Sequence, residues 1–170
     1  MSEVKIRLAI PKDGAALLNI YKWYIENTAI TFETEVPSAE VFGQRIENTL
    51  VRFPWLVCEI DGVVAGYAYA SKHRERAAYQ WSADLSIYVD EKYHRRHIAK
   101  ALYQVLEETL RLLGYYTAFA GVTTPNPKSE AFHAAYGFDT VGVFENVGYK
   151  LGQWWGVKWF KYALTDYQKE

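Results

Sequence analysis

The stretch His94-Arg95-Arg96-His97 crowds basic and imidazole side chains into one turn, between an alternating apolar run that ends at Val89 and a helix-periodic run that opens at Ile98. A turn there leaves backbone N–H groups free at a helix N-terminus and rings them with cations, which suits a phosphate or pyrophosphate. Read as plain surface charge, the cluster sits at the wrong end of the helix dipole, so helix stability does not explain it. Zinc on His94-x-x-His97 would need further ligands that the neighbourhood does not offer. Asp84 is the one acid in the alternating segment Tyr79 to Val89, on the face shared by Ser82, Ser86 and Tyr88. It could serve a cross-strand ion pair or hydrogen bond, or act as a general base whose proton affinity partial burial raises. His133 follows Ser129 by one helical turn and is either decoration of a short helix or a second acid/base group. Arg74 and Arg76, ahead of the Asp84 strand, could grip a carboxylate bidentately or stand in solvent.

The elements that must hold these groups follow from periodicity. Val4 to Ala9 alternates and predicts a first strand. Pro11 suits the first turn of a helix, Asp13 is favourable near its positive end, and Leu17, Ile20, Tyr21, Tyr24 and Ile25 continue it at helical spacing. After the loop Thr31 to Pro37, Ser38 caps a second helix with Phe42, Ile46 and Leu50 as its buried stripe. Asp61-Gly62 between two apolar runs is a hairpin signal, because a type I′ turn needs positive φ. The charged loop Lys72-His73-Arg74-Glu75-Arg76 leads to a strand from Tyr79 to Val89. A long helix follows, with Ala99, Leu102, Leu106, Leu110 and Leu113 inside and Gly114 as its stop. Tyr116 to Val122 predicts a strand, and Asn126-Pro127 starts a short helix that Gly137 ends. Phe138 to Phe144 and Lys158 to Leu164 predict two last strands joined by an aromatic loop, Tyr149 to Trp155. The resulting order, β-α-α-β-β-β-α-β-α-β-β, indicates an α/β fold with a mixed sheet.

Composition bounds the function. The 170 residues are half hydrophobic and 23% charged, enough for one well-filled domain and against global disorder. Nineteen Lys and Arg balance 20 Asp and Glu, which argues against a general nucleic-acid or anionic-membrane binder. One cysteine, Cys58, excludes an intrachain disulfide framework and fits a reducing cytoplasm. No apolar run approaches the ~18 residues of a membrane span, and the first residues lack a signal peptide's apolar core. Aromatic residues reach 16%, with 14 Tyr and 6 Trp, and either fill a large core or line a site for a partly polar ligand.

Several short motifs follow one another along nearly the whole chain. They include Asn19-Ile20-Tyr21, Thr28-Ala29-Ile30-Thr31-Phe32-Glu33-Thr34-Glu35, Pro54-Trp55-Leu56-Val57 and Gly66-Tyr67-Ala68-Tyr69-Ala70. Arg76-Ala77-Ala78-Tyr79, Ser86-Ile87-Tyr88-Val89, Pro125-Asn126, Gly137-Phe138, Val147-Gly148-Tyr149-Lys150 and Gly152-Gln153-Trp154 complete them. In this order and spacing the chain resembles the GNAT superfamily of N-acetyltransferases, in its phosphinothricin and methionine sulfoximine acetyltransferase branch. The resemblance implies a single domain over residues 1–170: a mixed, mostly antiparallel twisted sheet of about seven strands, splayed between the fourth and fifth and flanked by about four helices. It implies acetyl-CoA as co-substrate and no metal. The superfamily's pyrophosphate signature falls on the turn His94 to Ala99, so Arg95, Arg96, His97, Ile98, Ala99 and Lys100 would hold the pyrophosphate. Ile87, Tyr88 and Val89 would pair with the pantetheine arm, and Asn126 and Ser129 would contact the cofactor. The branch's catalytic Glu falls on Asp84 and its His on His133; Phe32, Arg76 and Tyr79, with Arg74, would form the acceptor pocket. Two departures stand out. His97 occupies a glycine position, and Asp84 is one methylene shorter than Glu.

The expected reaction is direct acetyl transfer to a primary amine of a small amino-acid-like acceptor, with Asp84 as base directly or through water, His133 as second acid/base group and a main-chain N–H near Ile87 polarising the thioester. The resemblance further implies a homodimer, and composition adds the expectation of a cytoplasmic protein that binds neither nucleic acid nor membrane. Two rivals stay open. One is a GNAT enzyme for a polyamine, aminoglycoside or protein amine; the other is a non-catalytic module using Tyr149, Trp154, Trp155 and Trp159 to bind a small molecule.

Overall fold

In the computed structural model, which describes residues 1–168, the chain forms seven strands and four α-helices. Strand β1 (Val4–Leu8) leads through a Pro11–Asp13 turn into α1 (Gly14–Asn27), and α2 (Ala39–Leu50) follows. Asp13 does not cap α1. Its carboxylate accepts instead from both Arg7 guanidinium ends at 2.8 Å, which holds it below the usual carboxylate range. Ser38 caps α2 as expected, accepting from Val41 N at 3.1 Å.

Strands β2 (Trp55–Ile60) and β3 (Val63–Lys72) form the expected hairpin, with Asp61 and Gly62 at φ 49° and 79°. Strand β4 (Ser82–Val89) starts three residues later than periodicity suggests, because Ala77–Tyr79 closes into a tight turn of its own. Helix α3 (Ile98–Leu112) buries Ile98, Leu102, Tyr103, Leu106 and Leu110. Leu113 lies past its end and is 56% exposed, so it leaves the predicted stripe. Strand β5 (Thr117–Thr124) and α4 (Pro127–Tyr136) come next, with Asn126 accepting from Ser129 N at 3.3 Å.

The largest departure lies at the end of the chain. Tyr149 to Trp155 is no loop: β6 (Asp139–Lys150) and β7 (Gln153–Ala163) are long strands joined by a tight turn at Leu151-Gly152. Leu151 takes φ 52°, unusual for leucine, so the turn carries no Asn-Gly or Asp-Gly signature. The alternation along β6 breaks where Asn146, at φ 53°, bulges between Phe144 and Gly148.

The sheet order is β1-β2-β3-β4-β5-β7-β6, antiparallel except for β4 beside β5. That parallel pair touches only at Ser82–Asp84 against Thr117–Phe119; beyond it the two strands diverge. Helices α1 and α2 cover one face through Leu17, Tyr24, Phe42 and Ile46. Helix α3 covers the other through Leu102, Leu106 and Leu110, with Phe138 and Phe160. No helix among the described residues is long and apolar enough to cross a membrane.

Candidate active site

The divergence of β4 and β5 cuts a slot through the sheet. Its walls are Leu85 to Tyr88 on one side and Ala120 to Thr123 on the other, with Asn126, Ser129 and His133 at one end. Beyond that end the slot opens into a cleft of about 570 Å³ between the 94–100 turn and α4. The cleft is lined by Ile87, Val89, the whole run His94 to Lys100, Asn126, Lys128 and Ser129. Ten of the eleven cofactor residues proposed from sequence therefore border one cavity; Tyr88 faces the slot instead.

The turn earns its shape from two left-handed residues, Arg95 at φ 66° and His97 at φ 58°. His97 adopts the conformation that glycine would take at its position and is the residue before α3. The residue is exposed at the cleft wall, where the larger side chain meets no buried neighbour. The first N–H groups of α3 thus face a cavity with Arg95, Arg96, Lys100 and Lys128 around it. His94 is engaged elsewhere: its Nε2 lies 3.1 Å from both Val89 O and the Tyr24 hydroxyl, which itself donates to Val89 O. Among the described residues no three His, Cys, Asp or Glu cluster as metal ligands would.

Asp84 and His133 lie on opposite faces of the sheet. His133 is only 3% exposed and stacks on Phe160 at 5.3 Å. Its Nδ1 donates to Ser129 O at 2.7 Å, which in the neutral ring leaves Nε2 to accept from the Tyr103 hydroxyl at 3.0 Å, so both ring nitrogens are engaged. Burial pushes its proton affinity below that of an ordinary imidazole. It is no surface decoration; it lines the end of the slot that opens toward the 94–100 turn.

Asp84 faces the α1–α2 side with Ser86 and Tyr88. Burial raises its carboxyl above the ordinary aspartate value, against the opposing pull of a hydrogen bond from His73. That bond, His73 Nδ1 to Asp84 Oδ1 at 2.6 Å, was not foreseen from the sequence. Around the pair stand Phe119, Tyr79 and Trp159. Trp159 also covers Gly121, where an added Cβ would lie 3.1 Å from the indole, so the pair sits beside the slot wall.

Of the four residues expected to form an acceptor pocket, Tyr79 and Arg74 touch this pair, whereas Arg76 and Phe32 make no described contact with it. Tyr79 is 43% exposed and meets His73 edge-on, and Arg74 donates to His73 O at 3.0 Å. Arg76 begins the Ala77–Tyr79 turn and its guanidinium has no ion-pair partner among the described residues. Phe32 lies on Gly148 of β6, with ring carbons 2.5 Å from where a Cβ would stand. Its loop is pinned from three sides. The Glu33 carboxylate accepts from the Tyr21 hydroxyl and from both Arg45 guanidinium ends at 2.6 and 2.9 Å; buried Lys150 donates to Thr31 O at 2.8 Å. Glu33 and Lys150 lie in stretches that carried the resemblance, but nothing in local pattern marked them as partners of this loop.

Residues 6–159 match the family described as Acetyltransferase (GNAT) domain. The chain is similar to a phosphinothricin N-acetyltransferase of Streptomyces viridochromogenes, 35% identical over 89% of this chain and 82% of that one. It is also similar to the L-methionine sulfoximine/L-methionine sulfone acetyltransferase of Salmonella typhimurium, 26% identical over 95% of each. Among solved structures, the GNAT superfamily phosphinothricin acetyltransferase of Sinorhizobium meliloti, in complex with AcCoA, superposes with a TM-score of 0.90 at 30% identity, over 94% of this chain and 88% of that chain.

Proposed function

The chain belongs to the GNAT acetyltransferase family, and from that membership we propose that it moves the acetyl group of acetyl-CoA onto the primary amine of a small carboxylate-bearing acceptor, of the phosphinothricin and methionine sulfoximine type. One observation carries this reading. The slot between β4 and β5 links a cationic cleft on one side of the sheet to the neighbourhood of Asp84 on the other.

The cleft fits an acyl-CoA chemically. Amides at the start of α3 and the side chains of Arg95, Arg96 and Lys100 suit a pyrophosphate. Among the described residues, the β5-facing edge of β4 has no ladder partner from Leu85 onward, so its backbone groups can pair with the amides of a pantetheine arm. A main-chain N–H near Ile87 then polarises the thioester carbonyl, and acetyl-CoA supplies the activated acetyl group.

The remaining tasks fall on the acceptor side. Arg76, with Arg74 behind it, holds the acceptor carboxylate and orients its amine. Asp84 belongs to the group that removes the amine proton, because an ammonium has no lone pair to attack with. His133 is the second acid/base group, reached from the cofactor side with Tyr103. We place the protein in the cytoplasm, where the buried thiol of Cys58 stays reduced. We also propose a homodimer, because Val141, Val143, Phe144, Val147, Tyr149 and Trp154 expose apolar surface along the β6 edge. Sedimentation velocity giving only monomer would remove that assignment.

Release of free thiol from acetyl-CoA tests the reaction. It should occur with amino acids or their sulfone, sulfoximine and phosphinic analogues, and not with polyamines, which Arg74 and Arg76 repel. Release with polyamines, an aminoglycoside or a peptide amine alone would replace the acceptor class. No release with any amine would leave a binding module.

A further inference from the structure

Asp84 has a partner to which the transfer reaction above gives no task. His73 lies just past β3 and directs Nδ1 at Asp84 Oδ1 across 2.6 Å. Its ring lies flat on Phe119, with centroids 4.2 Å apart and planes 11° apart, while Tyr79 and Trp159 meet it edge-on. The side chain retains 12% of its exposure. A carboxylate can only accept, so Nδ1 carries the hydrogen, and in the neutral ring Nε2 keeps its lone pair. No described residue hydrogen-bonds that Nε2.

We propose that His73 is the base of this site: Nε2 takes the proton of the acceptor amine, and Asp84 fixes the imidazole and balances its charge. The proposal rests on the acetyl-transfer reading above. The stack on Phe119 and the bond to Asp84 leave the ring one orientation, as a base of fixed tautomer requires. In the step, the amine nitrogen forms a C–N bond to the acetyl carbon. The thioester C–S bond breaks and its electron pair leaves on sulfur. The amine proton passes to Nε2 and then to water, and the thiolate takes a proton from water. Nothing is oxidised or reduced.

Few charges face the ring. Asp84 comes from β4 and the Tyr79 ring from the turn before it, while the Arg74 guanidinium of the adjoining loop donates to the His73 backbone carbonyl. Strands β5 and β7 present Phe119 and Trp159. Lys161, the register partner of Phe119, is turned over the Tyr167 ring at 5.4 Å.

The test compares wild type with His73→Asn, which keeps a donor toward Asp84, and His73→Phe, which keeps the stack on Phe119. Both should retain the thermal shift with acetyl-CoA and lose ~100-fold or more in kcat at pH 7. Their rates should then climb about tenfold per pH unit with the free amine, without the wild type's imidazole limb. In wild type, the midpoint of that limb should match the NMR titration of His73, and Asp84→Asn should change the two together. A folded variant that keeps kcat and the limb overturns the proposal. If both variants fail to fold, an NMR midpoint that differs from the kinetic limb overturns it. A wild type that releases thiol with no amine overturns instead the acetyl-transfer reading beneath it.

Discussion

Burial and chemistry pull in opposite directions at Asp84. Its carboxyl is raised above the ordinary value, chiefly by desolvation. A group raised in the folded state favours folding while protonated, and that contribution is lost as pH climbs from ~4 through the raised value. At neutral pH the charge is therefore a net cost to folding. Asp84→Asn should cut kcat by ~10²–10⁴ yet melt no lower than wild type at pH 8, with the two converging near pH 4. Calorimetry beside the pH–rate profile checks both. A cross-strand structural role would give the reverse: lower stability and full turnover in the folded fraction. Arg76→Leu should raise the acceptor KM ~10–100-fold and leave acetyl-CoA binding intact, the cost of a lost charge-assisted contact. His97→Gly should relieve a left-handed imidazole residue at φ 58°. Because glycine also frees the unfolded chain, the gain is at most ~1 kcal/mol, or a rise of ~2–4 °C in Tm.

Among the elements, the 28–38 loop depends on packing against β6. An alanine at Gly148 would place Cβ 2.5 Å from the Phe32 ring. The ring is partly exposed and can swing away, so Gly148→Ala should fold. It should lift Phe32 off the acceptor pocket and raise the acceptor KM, while the acetyl-CoA thermal shift stays put. An unchanged KM would remove Phe32 from that pocket. Most elements were legible because they obey one local rule each: Asp61-Gly62 for a hairpin, Ser38 and Asn126 for helix caps, Leu102 and Leu106 for a buried stripe. The last hairpin was not, because Leu151 turns the chain with a residue that advertises no turn. Within the site, Asp84 was legible as an acid on an alternating strand. His73 was hidden by register. Ser71 pairs with Asp84, so position 73 stands diagonal to it on the same face. The nine-residue connection between β3 and β4 offers no local signal that fixes this pairing.

For the whole molecule, the decisive interaction is between a nearly neutral protein and a strongly anionic ligand. The formal charge is only −1, so attraction must come from the local cluster at Arg95, Arg96, Lys100 and Lys128. Acetyl-CoA selects the folded state and should stabilise it by mass action, by ~2.7 kcal/mol at a hundredfold excess over Kd. In a chain of this size that is a rise of roughly 5–10 °C in Tm. Reversing Arg96 and Lys100 together to Glu should abolish most of the rise. The unliganded Tm should hardly move, since both side chains are exposed and make no ion pair among the described residues, and acids at a helix N-terminus favour its dipole. Added salt should weaken the wild-type shift, because the screening length falls from ~10 Å at 0.1 M to ~3 Å at 1 M. A double variant with an undiminished shift would move the pyrophosphate away from this turn. The slot would then lose its cofactor end, and the path from α3 through the split sheet to Asp84 would no longer describe one reaction.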